Sequence, residues 1–253
     1  MSKNNAKRIL ITGGAGFQGS HLAQRLIKRG HEVSILNTPS ERARANISTI
    51  KNKVHVMWGS VTDEEAVSKA IRDHDVVFHL AAHINVDESL ANPYKTIMVN
   101  VAGTLNVLNA VRESGSRLIY VSSCEVYGDG HQGDGILNES AELLPNSPYA
   151  ASKVAADRIC HAFAKSFNIP VVILRPFNIF GERQKSGQFG ALIPILVRKA
   201  LAGEQLSVYG DGKQERDFTY ISDIIDAYEL VLNSKLHSGE VINLGSGKST
   251  TII

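Results

Sequence analysis

The chain has 253 residues, 43% of them hydrophobic, so it can bury a substantial core as one large domain or as one domain with a small lobe. A formal net charge of +2 argues against nucleic acid or an anionic membrane as a partner, and two cysteines without paired spacing argue against a disulfide scaffold or a metal site. Residues 1–7 are polar, unlike a secretory signal, and no apolar run reaches the roughly 20 residues that span a bilayer, so we expect a soluble cytoplasmic protein.

A strand, a glycine turn and a helix are predicted in that order at the start of the chain. Residues 8–12 are a short apolar run, and an amphipathic helical pattern follows the turn and ends near Gly30. The turn glycines allow a pyrophosphate to approach backbone N–H groups at the helix start. This unit predicts dinucleotide binding, and the residues expected beside the cofactor are Gly13, Gly16, Phe17, Gln18 and Gly19.

Strands and helices alternate through most of the chain. Further predicted strands are 32–36, 54–58, 76–80, 117–122 and 171–175. Predicted helices are 63–72, 93–114, 148–167, 192–201 and 222–232. Strands that are apolar throughout are typical of a parallel sheet covered by helices on both faces. The order predicts an α/β fold with a doubly wound parallel sheet of the Rossmann type, followed by a smaller and more irregular lobe.

Tyr149 and Lys153 are four positions apart, so on a helix their side chains share one face. Ser147 can cap that helix, and Pro148 suits its first turn. A phenol titrates near ~10 and needs a neighbouring cation before it can take a proton at neutral pH, and Lys153 can supply that charge. Taken alone, the pair is more typical of an exposed helix that carries an ordinary tyrosine and lysine.

Together these features resemble the extended branch of the short-chain dehydrogenase/reductase superfamily, which contains nucleotide-sugar epimerases, dehydratases and decarboxylases. The motifs that carry the resemblance keep the family's order and span nearly the whole chain: T-G-G-A-G-F-Q-G at 12–19, H-L-A-A-H at 79–83, S-S-C-E-V-Y-G at 122–128, P-Y-A-A-S-K at 148–153, R-P-F-N at 175–178 and Y-G-D-G-K-Q-E-R-D-F-T-Y at 209–220. The resemblance implies an NAD(P)-binding Rossmann domain over residues 1–176. It implies a substrate-binding lobe over 177–253, with a further Rossmann contribution near 217–243. Relatives continue after a segment like 243–250, so we expect either a truncated lobe or that of a naturally minimal member.

The resemblance implies NAD as the cofactor and leaves NADP open. Asn37 stands where NAD-preferring members carry an acidic residue, and an amide can bond a ribose hydroxyl without repelling a 2′-phosphate. Arg42 and Arg44 follow, and they either attract such a phosphate or face solvent. The other positions that the resemblance places beside the cofactor are Ser60, Val61, Leu80, Ala81, Ala82, His83, Val121, Tyr149, Lys153 and Pro176. His79 is expected to be a core histidine and Cys160 a packing residue.

The resemblance also implies the chemistry. Tyr149 takes the proton from a sugar hydroxyl, usually at C4, while hydride leaves that carbon. Lys153 lowers the pKa of Tyr149 and holds the nicotinamide ribose, and Ser123 bonds the oxygen that becomes a carbonyl. The residues expected to bind the substrate are Ser123, Asn178, Leu192, Tyr209 and Arg216.

Glu125 and Cys124 are predicted to decide the outcome of the reaction. A carboxylate at position 125 can abstract the C5 proton as a general base, and a thiol near ~8.5 can donate a proton to the leaving hydroxyl. The Ser-Cys-Glu order is similar to the nucleotide-sugar 5,6-dehydratase of tunicamycin-type pathways, whereas UDP-glucuronate decarboxylases also carry the glutamate. Alternatively, Cys124 is a small strand-end residue and Glu125 lies in a solvated turn.

We therefore predict an NAD-dependent enzyme that oxidises a UDP- or dTDP-hexose transiently at C4 and then acts as a dehydratase by 4,6- or 5,6-elimination. A UDP-hexose 4-epimerase is the alternative, and a non-catalytic dinucleotide-binding sensor is a distant one. The resemblance implies a homodimer that pairs helices 93–114 and 148–167. Neither nucleic acid nor a membrane is an expected partner.

Overall fold

The computed structural model describes residues 6–129, 136–187, 190–208 and 210–253. Its strands are β1 Arg8–Thr12, β2 Glu32–Asn37, β3 His55–Trp58, β4 Val76–His79, β5 Arg117–Val121, β6 Val171–Pro176, β7 Ile179–Phe180, β8 Glu215–Arg216, β9 Thr219–Tyr220, β10 Ser238–Leu244 and β11 Thr250–Thr251. Its α-helices are α1 Phe17–Lys28, α2 Glu41–Asn46, α3 Glu64–Ile71, α4 Val86–Ala91, α5 Pro93–Ile97, α6 Gly103–Ser114, α7 Pro148–Phe167, α8 Leu192–Leu201 and α9 Ile221–Asn233.

Seven strands form one central sheet in the order β10-β6-β5-β4-β1-β2-β3, and each neighbouring pair is parallel. One buried cluster joins the sheet to α1 and α9, and a second joins its other face to α3, α6 and α7. The predicted doubly wound parallel sheet is therefore confirmed. Strand order reverses between β1 and β4, and in such sheets ligands bind outside the carboxyl ends of the strands at that reversal.

The longest helix follows its sequence signals at both ends. The Oγ atom of Ser147 accepts a hydrogen bond from the N–H of Ala150, and Pro148 occupies the first turn of α7. At the other end Asn168 adopts a left-handed conformation and ends the helix. The predicted helix over 148–167 is therefore confirmed. No described helix has the length and apolar character to cross a membrane.

The predicted helix over 93–114 is wrong in one respect, because a π turn at Met98–Ala102 separates α5 from α6. Asn100 lies buried in that wider turn. Its Nδ2 donates to Ser152 Oγ at 2.8 Å and to the carbonyl of His83 at 3.0 Å, while its Oδ1 accepts from the N–H of His83 at 2.7 Å. The interruption therefore places one amide between the loop that follows β4 and helix α7.

His79 at the end of β4 is 1% exposed, which confirms the prediction of a core histidine. Its Nδ1 lies 2.6 Å from Thr12 Oγ1, and its Nε2 lies 3.0 Å from Thr104 Oγ1. The Thr104 hydroxyl donates to the carbonyl of Asn100 at 2.6 Å. A neutral imidazole therefore links β1 to α6 through the centre of the sheet.

The burial of His79 predicts a loss of stability in acid. Burial lowers the pKa of its imidazole from 6.5 to about 3, so between these values the unfolded chain binds a proton that the folded chain does not. The free energy of unfolding should therefore fall as the pH falls below 6.5, by about 1.4 kcal/mol per pH unit from this group. Urea unfolding at several pH values checks this against His79→Gln, which cannot titrate there. Equal slopes in the two proteins would contradict it.

Candidate active site

A cavity of about 760 Å³ lies at the carboxyl edge of the sheet, between the turn that follows β1 and the segments that follow β5 and β6. The predicted residues that line it are Gly16, Phe17, Gln18, Asn37, Arg42, Ala82, His83, Ser123, Cys124, Glu125, Tyr149, Pro176, Asn178 and Leu192. Predicted residues that do not line it are Gly13, Gly19, Ser60, Val61, Leu80, Ala81, Val121, Lys153 and Arg216. Tyr209 lies outside the described residues.

The backbone of the glycine turn packs so closely at Gly13 and Gly19 that neither position has room for a side chain. A Cβ on Gly13 would lie 2.7 Å from the Ala81 nitrogen, and one on Gly19 would lie 2.4 Å from the Gly13 oxygen. Gly16 begins α1 with no side-chain cap, and the first turn of that helix has no acidic residue. A helix start of this kind favours an anion.

Asn37 at the end of β2 and Arg42 in α2 both form hydrogen bonds with backbone groups. The Oδ1 atom of Asn37 accepts from the N–H of Ala15 at 3.2 Å, and Arg42 Nη2 donates to the carbonyl of Arg183 at 2.8 Å. Arg44 does not line the cavity, and its guanidinium lies 4.6 Å from the centre of the Trp58 ring. Of the two arginines, Arg42 is therefore the one that borders the cavity.

Ser60 and Val61 lie away from the cavity lining. The Ser60 and Thr62 hydroxyls are 2.8 Å apart. Val61 is buried against α6, where a Cβ on Gly103 would lie 2.7 Å from Val61 Cγ2. These two residues thus pack the outer part of the sheet.

The loop after β4 brings His83 to the cavity. Its Nδ1 lies 3.0 Å from Thr96 Oγ1, and its Nε2 lies 2.9 Å from Glu88 Oε2 without hydrogen-bond alignment. Ala81 is held from behind, because its N–H donates to Thr12 Oγ1 at 3.3 Å. The loop is thus fixed by β1, α4 and α5.

Tyr149 and Ser123 meet at the inner end of the cavity. Burial raises the pKa of Tyr149 above its usual 10, a hydrogen bond with the Ser123 side chain acts in the opposite direction, and the charges of Glu125 and Cys124 raise it further. In this arrangement the phenol holds its proton. Ser123 is placed to stabilise a charge on the tyrosine oxygen or on an oxygen bound beside it.

Lys153 is buried one turn further along α7. Its Nζ donates to the carbonyl of Val121 at 2.7 Å and lies 4.6 Å from the centre of the Tyr120 ring. Burial lowers the pKa of its ammonium to about 8. In this structure the Ser123 side chain acts to lower the pKa of Tyr149, and the same role for Lys153 stays a prediction.

Glu125 lies in the 3-10 turn Cys124–Tyr127, whose first N–H groups are capped by Ser123. Its side chain is partly buried and lines the cavity, so it is not a solvated turn residue. Burial raises the pKa of its carboxyl, the charge of Arg216 lowers it, and Asp129 raises it. A carboxyl group that lines the cavity can take a proton from a bound molecule or give one to it.

The expected acidity of Cys124 is wrong for this environment. Burial and the charge of Glu125 raise the pKa of the thiol to about 12, although the backbone N–H of Asn178 acts to lower it. The sequence analysis assumed a value near ~8.5, which applies to a thiol in water. The thiol stays protonated and is a poor proton donor to a leaving hydroxyl. Cys160 is fully buried on α7, as expected of a packing residue.

The predicted substrate residues approach the cavity from the other side. Asn178 Nδ2 donates to the carbonyl of Asp217 at 3.1 Å, and Leu192 begins α8. Arg216 is exposed and donates to the carbonyl of Glu215 at 2.7 Å. Its charge lowers the pKa of both Glu125 and Cys124, so it stands close to them although it does not line the cavity.

Several residues of the cavity wall were not predicted from the sequence, among them Asn46, Phe180, Gln184, Lys185 and Phe218. Most of them lie in irregular segments without a hydrophobic period. One available signal was their position after a predicted parallel strand, because loops at the carboxyl ends of such strands border the ligand. Among the described residues, no group of three or more His, Cys, Asp or Glu side chains is arranged to hold a metal ion.

Residues 9–245 match the family model described as "NAD dependent epimerase/dehydratase family". The chain is 38% identical to the UDP-N-acetyl-alpha-D-glucosaminuronate decarboxylase of Bacillus cytotoxicus, over 97% of this chain and 77% of that protein. It is 33% identical to the UDP-glucuronic acid decarboxylase 1 of Xenopus tropicalis, and there it spans only 59% of the relative's length.

The chain is also similar to solved structures of nucleotide-sugar epimerases and dehydratases. A UDP-N-acetylglucosamine 4-epimerase from Methanobrevibacter ruminantium M1, in complex with UDP-N-acetylmuramic acid, superposes with a TM-score of 0.91 at 35% identity, over 98% of this chain and 79% of that one. The dTDP-glucose 4,6-dehydratase DesIV from Streptomyces venezuelae, with NAD and TYD bound, gives 0.89 at 33% identity, over 97% and 77%.

Proposed function

Because the chain belongs to the NAD-dependent epimerase/dehydratase family, we propose that it oxidises a nucleotide-linked hexose transiently at C4 and then eliminates water from it. The observation that carries the second part is Glu125, a carboxyl group with a raised pKa in the cavity that Tyr149 and Ser123 also line. UDP- and dTDP-hexoses are the substrate class, as the names of the relatives indicate.

The residues present fit NAD. The uncapped start of α1 at Gly16 suits a pyrophosphate, and a Cβ at Gly13 or Gly19 would fill the turn on which it rests. Asn37 lines the cavity and is proposed to bond the adenosine ribose. Lys153, which is buried and does not line the cavity, is proposed to bond the nicotinamide ribose. When bound, NAD supplies the acceptor for the hydride that leaves C4.

The first step belongs to Tyr149. Its phenolate takes the proton of the C4 hydroxyl, and Ser123 donates a hydrogen bond to the same oxygen as it becomes a carbonyl. Because burial holds the phenol protonated, a cation must approach before the step can begin. Lys153 carries that charge below about pH 8 and lies on the same face of α7.

The second step belongs to Glu125. A carbonyl at C4 acidifies the C5–H bond, and the carboxylate takes that proton. The C6–O bond then breaks as the C5=C6 double bond forms, and Glu125 returns its proton to the departing hydroxyl, which leaves as water. The hydride then returns from the cofactor, either to C4 with the proton held by Tyr149 (5,6-elimination) or to C6 with a proton added at C5 (4,6-elimination), so the net change is the loss of one water. Cys124 donates no proton in this scheme, because a thiol with a pKa of about 12 is too weak an acid.

The alternative is 4-epimerisation, which needs Ser123, Tyr149 and Lys153 but no acid or base at position 125. The name of the archaeal 4-epimerase supports it, and the names of the curated relatives add decarboxylation of a uronate as a further outcome of the same C4 oxidation. These outcomes differ in the mass of the product.

Replacing Glu125 with glutamine is expected to abolish dehydration while C4 oxidation and NAD binding persist. The loss should be about 10²–10⁴-fold, the usual contribution of a positioned acid or base. The measurement is mass spectrometry of products from UDP- and dTDP-sugars, including uronates, incubated with NAD in heavy water. The wild type should produce a sugar that has lost one water.

Asp129→Asn is the matched control, because Asp129 is a nearby exposed carboxylate whose charge raises the pKa of Glu125. It should retain most of the turnover. A product of unchanged mass without solvent deuterium would make the protein a 4-epimerase and Glu125 a bystander. Loss of carbon dioxide from a uronate would make it a decarboxylase.

The homodimer is also part of the proposal. Apolar side chains remain exposed along the helices that the sequence analysis assigned to the interface, at Tyr94, Ile97, Leu105 and Phe167. A monomer mass in light scattering would contradict it. A cytoplasmic location and the division into residues 1–176 and 177–253 are proposed as well, to be tested by cell fractionation and limited proteolysis.

A further inference from the structure

Arg183 lies in the loop after β7 and has a φ of 68°, a left-handed conformation that it shares, among the described non-glycine residues, with Asn168 alone. Asn168 ends a helix, where this conformation is common, but Arg183 does not. Side chains other than those of Gly, Asn and Asp seldom adopt it, and it persists where the surrounding contacts fix the backbone. The contacts of Arg183 therefore need an explanation.

The guanidinium of Arg183 reaches the helix that starts at the glycine turn. Its Nη1 donates to Ser20 Oγ at 3.0 Å, and its Nη2 donates to Gln24 Oε1 at 2.8 Å. Ser20 is fully buried, and its hydroxyl donates in turn to the carbonyl of Phe17 at 3.1 Å. Arg183 is thus two hydrogen bonds away from the first residue of α1, at the end proposed to hold the pyrophosphate.

The backbone around Arg183 is tied to the same part of the molecule. Its carbonyl accepts from Arg42 Nη2 at 2.8 Å, and Arg42 borders the cavity. The preceding carbonyl, that of Glu182, lies 3.0 Å from His21 Nε2 on α1. Helices α1 and α2 therefore hold this loop from two sides.

The next two residues, Gln184 and Lys185, line the opposite wall of the cavity. Gln184 Nε2 donates to the carbonyl of Ile179 at 2.8 Å, whereas its Oε1 is buried and has no hydrogen-bond partner. A buried acceptor of this kind requires a donor, which a polar ligand can provide. The loop that faces the substrate is therefore continuous with the segment fixed by the cofactor helices.

We propose that Arg183 is a positioning residue that couples cofactor binding to the substrate loop. Anion binding at the start of α1 orders Phe17 and Ser20. Through its hydrogen bond to Ser20, the Arg183 guanidinium then orders residues 181–187. This fixes the cavity wall made by Gln184 and Lys185 in the position that binds the nucleotide sugar. Reciprocity requires that a nucleotide in the cavity tighten NAD binding by the same factor. The inference takes only the identity of the two ligands from the proposed function.

Amide hydrogen exchange of peptides within residues 179–187, with and without saturating NAD, tests the coupling without any turnover. The test variant is Arg183→Asn, because asparagine tolerates the left-handed backbone but cannot reach Ser20. In the wild type NAD should slow exchange of residues 181–187 at least about fivefold, the lower end of typical coupling. Arg183→Asn should lose this protection, and Arg183→Lys should restore part of it.

Three controls separate coupling from general loosening. Arg198→Asn removes an exposed arginine of α8 that pairs with Glu204, and it should keep the protection. Ser20→Ala should lose the protection, and combining it with Arg183→Asn should add nothing. Calorimetry of UDP and dTDP should show that NAD strengthens nucleotide binding in the wild type but not in Arg183→Asn.

The proposal is overturned if NAD leaves exchange of residues 181–187 unchanged in the wild type, or if Arg183→Asn keeps the protection. It is also overturned if Arg198→Asn loses the protection to the same extent. Failure of the wild type to convert any nucleotide sugar would refute the proposed function while leaving the exchange result to stand by itself.

Discussion

Replacing Tyr149 with phenylalanine is expected to lower kcat by about 10²–10⁴-fold while NAD still binds. In the proposed mechanism the phenol is the acid–base group of the first step, and its oxygen is the one that bonds to the Ser123 side chain. The ring itself packs in a buried position, which phenylalanine keeps. Steady-state kinetics with the best sugar of the panel and titration of NAD by fluorescence measure the two effects separately.

Tyr94→Phe is the matched control, because Tyr94 is 75% exposed on α5 and should tolerate the change. The experiment also separates an enzyme from a non-catalytic sensor of NAD, since a sensor would lose nothing with Tyr149→Phe. Turnover within a few-fold of the wild type would remove Tyr149 from the mechanism.

Replacing Asp157 with alanine is expected to lower the free energy of unfolding by about 3–5 kcal/mol, the usual effect of breaking a buried ion pair. Asp157 is fully buried on α7, and Arg175 on β6 is 1% exposed. Arg175 Nε donates to Asp157 Oδ2 at 2.9 Å, and its Nη2 donates to Oδ1 at 3.0 Å. Burial acts to raise the pKa of Asp157, but the hydrogen bonds and charges of Arg175 and Arg158 outweigh it, so the pKa lies below its usual value.

Without Asp157, the guanidinium of Arg175 stays buried, and the hydrogen-bond acceptors left to it among the described residues are the hydroxyl of Tyr127 at 2.8 Å and the carbonyl of Glu139 at 3.4 Å. Chemical denaturation measures the loss. The double variant Asp157→Leu with Arg175→Met should recover most of it, because it buries no charge. A cost below about 1 kcal/mol for the single change, as expected of an exposed pair, would contradict the prediction.

The fold was largely predictable because its elements carry local signals. Strand β1 is an apolar run that ends at glycines, and α7 has a serine cap and an early proline. Helices α2 and α4 were missed because each has six residues, too few to show a period. The π turn was missed because Asn100 in that turn forms hydrogen bonds with Ser152 and His83, which are distant in sequence.

The candidate site was predictable where spacing fixes geometry. Tyr149 lies in the first turn of α7, after the expected Ser147 cap, and Ser123 follows β5 at the edge of the cavity. Electrostatic properties were not predictable, because the pKa of Cys124 depends on how deeply its thiol is buried. Arg183 was not predictable either, since its role depends on contacts with residues more than 150 positions away.

The single hydroxyl of Ser123 serves two structural purposes, and this limits how the site can be redesigned. The oxygen accepts the N–H of Glu125 at 3.2 Å, and it also bonds to Tyr149. A change at position 125 removes a charge that raises the pKa of Tyr149, but it leaves the Ser123–Tyr149 hydrogen bond in place. A change at position 123 would disturb the tyrosine and move the backbone that carries the glutamate. If Glu125 acts as proposed, residue 125 is the position at which an epimerase and a dehydratase can be interconverted, and residue 123 is not.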